Sequence, residues 1–319
     1  MVENNKSTLK KMLSMREFPL LITIIVGVTA LALYSPTFFT FGNMHSVFLG
    51  SSFEAIMVIG MTLLLIQNGI DLSIGSIAGF TGVVVGIALD FEANVPVAIA
   101  VGLIAATAVG MCNGLVIAKF KINAMIVTLA MQMIVRGLIF IVTRGVGRPN
   151  FPDAYNAIAR INIFGLQAPI VYSFVLLVIF GILFAKSGWF RQFYFIGGNE
   201  EAAQLSGIKV EKLRFFAYSF MGLMAGIAGI LLAARMGGAI PTQGQGMEMN
   251  VIAAAVIGGA SISGGEGSIL GSFLGVLVMA LVINAFNVIG VDIYWQRTIL
   301  GSILLLAILT DKFRHRKAS

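Results

Sequence analysis

Few residues in this chain have the chemistry of a catalyst, and their spacing excludes most reactions. Two adjacent carboxylates, Glu200 and Glu201, stand in the polar run Gly197-Gly198-Asn199-Glu200-Glu201-Ala202-Ala203-Gln204-Leu205-Ser206-Gly207. Basic residues flank it at Arg191 and Lys209. No Gly-Lys dipeptide occurs, so there is no phosphate-cradling loop of the nucleotide-hydrolysing kind. If ATP is consumed, another subunit must supply its site. No Gly-x-Ser-x-Gly elbow is present. The two histidines, His45 and His315, lie far apart, and one cysteine leaves a metal cluster without ligands. No catalytic residue, metal or cofactor is expected.

Two polar breaks carry the remaining chemistry. The first reads Gln67-Asn68-Gly69-Ile70-Asp71-Leu72-Ser73-Ile74-Gly75-Ser76. Asp71 precedes an apolar helix, where its carboxylate can cap free N–H groups and face the positive dipole end. Alternatively, Asn68, Asp71, Ser73 and Ser76 line or gate a path, since polar side chains at membrane depth usually face a cavity or the bundle interior. The second break reads Ser261-Ile262-Ser263-Gly264-Gly265-Glu266-Gly267-Ser268. Ser263 and Glu266 have the same two readings, with capping the stronger for Glu266. Within the spans, Glu54, Asn113, Arg136, Asn284, Asn287 and Arg297 are the polar exceptions. Arg136 needs a partner or a water-filled space, and Glu54 is one possible partner. The asparagines either hydrogen-bond across helices or contact a polyhydroxylated solute.

The elements that position these residues are membrane helices. Of 319 residues, 58% are hydrophobic and 11% charged, against roughly 25% charged in soluble chains. The apolar residues come in blocks of about 20, the length of a helix that spans a bilayer. Thirty-seven glycines suit close backbone packing between such helices. The fold class is all-α integral membrane, with about ten transmembrane helices at 18–35, 47–67, 75–90, 95–118, 124–143, 169–186, 213–234, 250–262, 269–289 and 294–311. The third and eighth are short enough to be half-helices. Cys112 sits in an apolar run and reads as a small core residue.

Basic residues set the orientation. They collect at Lys6, Lys10, Lys11 and Arg16, at Lys119 and Lys121, around 186–214, and at Lys312, Arg314, Arg316 and Lys317. Ten spans put all four groups on the cytoplasmic side, with both termini there. The net charge of +7 therefore needs no nucleic acid partner. The chain divides into a cytoplasmic tail (1–17), one transmembrane domain (18–311) with a cytoplasmic loop at 187–212, and a basic tail (312–319). Asn199 can cap a short helix in that loop, the carboxylates occupy its first turn, and Gly207 ends it. It reads as a docking helix or as a solvated loop. On the opposite side, 144–168 is an ordered cap or a plain connection. The Gly- and Gln-rich stretch 235–250 receives a solute or its carrier, or is a linker. Gly75-Ser76-Ile77-Ala78-Gly79 and Gly267-Ser268-Ile269-Leu270-Gly271 echo each other, through internal duplication or chance similarity.

At this point the motifs resemble a known family. Glu201-Ala202-Ala203 followed by Gly207 resembles the cytoplasmic loop signature of permease subunits of bacterial ABC importers. Gly197-Gly198-Asn199-Glu200 and Ile208 are similar to its form in the ribose-type sugar branch. So are Gly60-Met61-Thr62 with Gly69-Ile70-Asp71-Leu72-Ser73-Ile74-Gly75-Ser76, and Ala253-Ala254-Ala255-Val256-Ile257-Gly258-Gly259-Ala260-Ser261 running into Gly264-Gly265-Glu266-Gly267. The trailing proline of other branches is missing. The resemblance runs from about Ser35 to Asp311.

It implies a division of labour in a bacterial inner membrane. Two permease copies, as a homodimer, form the path. Cytoplasmic ATPase subunits dock around Asn199, Glu200, Glu201, Ala202, Ala203 and Gly207. An extracytoplasmic sugar-binding protein delivers a pentose or hexose. The permease itself makes no bonds. Similar permeases handle autoinducer-2 and nucleosides. The rival class is an ion-coupled secondary transporter, which would rest on buried titratable groups such as Glu54 and Arg136.

Overall fold

Local capping rules decide where the apolar runs become helices. Thr40, Asn94 and Asn123 each accept a backbone N–H two or three residues on, and open helices at Phe41, Val95 and Ala124. Lys121, Arg144, Gly237 and Gly290 take the left-handed conformation where helices end. In the computed structural model, which describes residues 18–316, thirteen α-helices result. They are α1 (Phe18–Tyr34), α2 (Phe41–Ile66), α3 (Ile74–Asp90), α4 (Val95–Phe120), α5 (Ala124–Thr143), α6 (Asp153–Arg160), α7 (Ala168–Lys186), α8 (Gly188–Gly198), α9 (Glu200–Leu205), α10 (Val210–Met236), α11 (Met247–Ile257), α12 (Ile269–Ile289) and α13 (Ile293–Arg316). Four two-residue strands complete it: β1 (Arg148–Pro149), β2 (Asn162–Ile163), β3 (Leu166–Gln167) and β4 (Gly238–Ala239). Lys6, Lys10, Lys11, Arg16 and Lys317 lie outside the described residues, as does the side chain of Arg297.

The all-helical membrane class holds. Six described helices are long and apolar enough to cross a membrane: α2, α4, α5, α7, α10 and α12. α1 and α3 have 17 residues and α11 only 11. At 1.5 Å per residue, α11 reaches only about half of the hydrocarbon thickness.

α2 is the axis of the fold. Its apolar window is 94% buried, against 17% for α5. A helix that is apolar all round belongs inside, and α7, α10, α11 and α12 surround this one. α4 and α10 cross backbone to backbone at Gly110 and Gly222, the close approach that small residues permit. Cys112 corrects the core reading: it is exposed on the outward face of α4, while its neighbour Asn113 is fully buried.

The stretch 144–168 is an ordered cap. β1 pairs antiparallel with β4, with Arg148 opposite Ala239 and Pro149 opposite Gly238. Arg148 pairs with Asp90. Phe151 N donates to Gly237 O at 3.0 Å, and the Phe151 and Tyr155 rings meet edge to face. The Tyr155 hydroxyl donates to Ile230 O at 3.0 Å. Burial pushes its phenol pKa up, so it stays a donor. Tyr155→Phe should cost about 1 kcal/mol, the worth of one buried hydrogen bond. Thermal unfolding of detergent-purified protein reads this, and an unchanged midpoint would mean the cap is anchored elsewhere.

Candidate functional site

The polar run forms a sharp helical corner. α8 ends at Gly198, Asn199 is extended, and α9 begins at Glu200. The Asn199 Oδ1 accepts from Ala202 N at 2.9 Å, which caps α9 as its sequence position requires. Glu200 and Glu201 both lie in the first turn, but their surroundings differ. Glu200 accepts from Arg214 on α10 at 2.8 and 3.4 Å. Glu201 is exposed, and Leu205 on the same short helix is 90% exposed. Ala203 turns inward and is buried. Gly207 has φ +82° and ends the corner, with its N–H on Gln204 O. Trp189, Phe190, Phe193 and Phe216 pack edge-on or tilted against one another and seat α8 on α10.

The base of this corner touches both polar breaks. Gly197 packs on the carbonyl oxygen of Ile66, where the first break begins, and on the amide nitrogen of Gly265 in the second. The Gly265 N–H itself donates to Ile66 O at 2.8 Å. Tyr194 on α8 donates to Gly267 O at 2.9 Å. Three segments distant in sequence therefore meet at one backbone junction. A β-carbon on Gly197 would overlap Ile66 O and Gly265 N, so only glycine fits.

In the first break, Asp71 does not cap the first turn of α3. Its Oδ1 accepts from Ser73 N at 2.7 Å and Ser73 Oγ at 2.6 Å, and so braces the turn just before the helix. Asn113 donates to Asp71 Oδ2 at 3.3 Å and to Ser73 Oγ at 3.0 Å. Ser76 donates to Gln132 O at 3.2 Å. Asp71, Ser73 and Ser76 are all fully buried. Asn68, at φ +62°, instead borders a cavity of about 300 Å³ with Asn123, Arg214 and Tyr218. The Tyr218 hydroxyl donates to Ile70 O at 3.2 Å.

In the second break the cap of α12 is Ser268, whose Oγ accepts from Gly271 N at 3.0 Å. This replaces the expectation for Glu266, which lies two residues earlier and is half-buried. Ser263 is exposed, and its N–H donates to Ser261 Oγ at 3.1 Å.

A third polar centre escaped the sequence reading. The stretch between β4 and α11 is no linker: Gln243 is buried, and Gly244 packs on the backbone of Gly75 in α3. Arg136 donates to Pro241 O at 2.7 Å and Gln243 O at 3.0 Å. Its expected partner Glu54 instead accepts from Asn250 at 2.9 Å. Glu248, within electrostatic reach of Arg136, accepts from Gln132 at 2.9 Å. Its Oε2 has no hydrogen-bond partner among the described residues. Glu248 and Asn250 border a cavity of about 870 Å³, with Gln245, Met279 and Gly301. The only sequence signal was the density of Gln and Gly in 235–250. Asn284 and Asn43 exchange two amide hydrogen bonds, at 3.0 and 2.8 Å, which settles the cross-helix role for Asn284.

Comparison with known proteins agrees with this architecture. The family described as branched-chain amino acid transport system / permease component matches residues 43–308. The ribose import permease protein RbsC of Escherichia coli (strain K12) is 36% identical over 303 residues, covering 91% of this chain and 92% of that protein. The L-arabinose ABC transporter permease protein AraH of Azospirillum brasilense is 35% identical over 298 residues, covering 93% and 88%. The ribose import permease protein RbsC of Bacillus subtilis (strain 168) is 33% identical over 291 residues, covering 91% and 90%. No solved structure gives a significant match. A match of this extent, on an all-helical chain with six spanning helices, makes this protein a member of the transport-system permease component family.

Proposed function

We propose that this chain is the membrane subunit of an ABC importer for a monosaccharide of the ribose or arabinose kind. The named relatives, similar over nine-tenths of the chain, support the substrate class. Cytosolic ATPase subunits dock on α9 around Glu201. A binding protein delivers the sugar on the side of the 144–168 cap, and a second copy of the chain completes the path. Ten segments then enter the bacterial plasma membrane: α1 to α5, α7 and α10 to α13. α3 and α11 cross in part, and 1–17 and 312–319 are cytosolic tails. The pairs α2–α3 and α11–α12, each with a polar break, are the two halves of an internal repeat.

The observation that carries this reading is the junction at Gly197. α9 exposes Glu201 and Leu205 to a partner, while the end of α8 that leads into it is in backbone contact with both breaks. A push on α9 therefore reaches α2, α3 and α12 without any flexible linker between. Asp71, Ser73 and Asn113 keep the first break rigid in this scheme, Asn68 and Ser263 face open space on that side, and Ser76 ties the start of α3 to α5.

Gly207 sets the angle at which α9 is presented. A β-carbon there would meet nothing within 4 Å. Gly207→Val should therefore cost only the left-handed backbone penalty, about 1–2 kcal/mol. The expected outcome is weaker co-purification of the ATPase, and recovery at the normal ratio would contradict it. The function itself is tested in the reconstituted complex of permease, ATPase and binding protein. Ribose or arabinose should stimulate ATP hydrolysis. Stimulation by neither, alongside stimulation by a nucleoside, would replace the substrate class.

A further inference from the structure

Two cavities in this protein have lining residues joined to each other by a hydrogen bond. One, of about 300 Å³, lies between α2 and α12 and is lined by Ser46, Ser51, Glu54, Asn284 and Asn287. The other is the cavity of about 870 Å³ bordered by Gln245, Glu248 and Asn250. Glu54 belongs to the first and Asn250 to the second, and the two are joined by the 2.9 Å bond from Asn250 Nδ2 to Glu54 Oε1. Both volumes are in the range of small-molecule sites. We propose that the Asn250–Glu54 hydrogen bond is a latch on the solute path, and that the two cavities are successive subsites for a neutral polyhydroxylated solute. This rests on the proposed import function and adds the route within it.

The chemistry of the lining selects that solute. The latch consists of a carboxylate acceptor and an amide donor. A hydroxyl both donates and accepts, so neighbouring hydroxyls of one sugar can satisfy Glu54 and Asn250 together once their mutual bond breaks. An apolar solute would leave both groups buried and unpaired, which costs the full desolvation penalty of each. An anion would meet the carboxylates of Glu54 and Glu248. Asn250 sits on α11, so a movement of that helix shifts the latch.

The protein's single cysteine makes the test direct. In a Cys112→Ser background, Ser51→Cys is probed with a charged, water-borne thiol reagent on the complete importer in liposomes. It should react faster than Leu129→Cys on the outward face of α5, and saturating substrate sugar should slow it. Independently, Asn250→Ala should raise ATP-free leak of sugar from loaded vesicles by about tenfold, the factor one lost hydrogen bond is worth. Glu54→Ala removes the acceptor of the same bond and should raise the leak to the same degree. Co-purification with the ATPase at the normal ratio excludes misfolding of the variants. Labelling of Ser51→Cys no faster than of Leu129→Cys, or an unchanged leak in a folded Asn250→Ala, overturns the latch while import stands. A natural importer that moves no monosaccharide with ATP overturns the function itself.

Discussion

A permease carrying Gly197→Val should insert, assemble with its ATPase and import almost no sugar. The added side chain would overlap the carbonyl oxygen of Ile66 and the amide nitrogen of Gly265. Both are backbone atoms, so neither can rotate away. The Gly265 N–H to Ile66 O bond, 2.8 Å long, has to open or α8 has to lift. Either change separates the exposed helix α9 from the breaks that lead into α3 and α12. ATP hydrolysis should persist while import falls by about a hundredfold, the equivalent of roughly 3 kcal/mol of lost coupling. The control is next door. A β-carbon on Gly198 meets nothing within 4 Å, so Gly198→Ala should import normally. Equal import by the two variants would show that the junction transmits nothing.

Reversing charge at Glu201 should be nearly as severe by a different route. Glu201 is exposed, so Glu201→Lys should leave the fold intact. A reversed charge at a matched interface costs several kcal/mol. Import should fall by about a hundredfold through loss of the docked ATPase. Glu200→Lys should behave differently. It breaks the pair with Arg214, whose partner side chain is 39% exposed, and such pairs contribute little. Its effect should be several-fold, through a looser α9. A Glu201→Lys complex that keeps both its ATPase and its import rate would remove docking from this helix.

How far the molecule was legible in its sequence depended on the range of the interactions. The corner at 197–207 was legible because capping is local: Asn199, the first-turn carboxylates and Gly207 act within a few residues of each other. The apolar runs were legible as helices for the same reason. Which face of a run turns inward was not, because lipid and core are equally apolar; Cys112 is exposed while the next residue, Asn113, is fully buried. Arg136 defeated the search for a charged partner because it is satisfied by the carbonyls of Pro241 and Gln243, and every residue carries a carbonyl. Glu266 looked like the cap of α12, but Ser268 stands at the residue where the backbone enters the helix. The meeting of Ile66, Gly197 and Gly265, and the Glu54–Asn250 bond, are products of the tertiary fold alone.

This chain should pass a sugar only when a separate ATPase drives it. The direct measurement is uptake of labelled ribose or arabinose into liposomes holding the permease, with and without its ATPase and binding protein. Uptake should require all three components and ATP, and should ignore proton and sodium gradients. Uptake by the permease alone, driven by an ion gradient, would contradict the account and make the protein a secondary transporter.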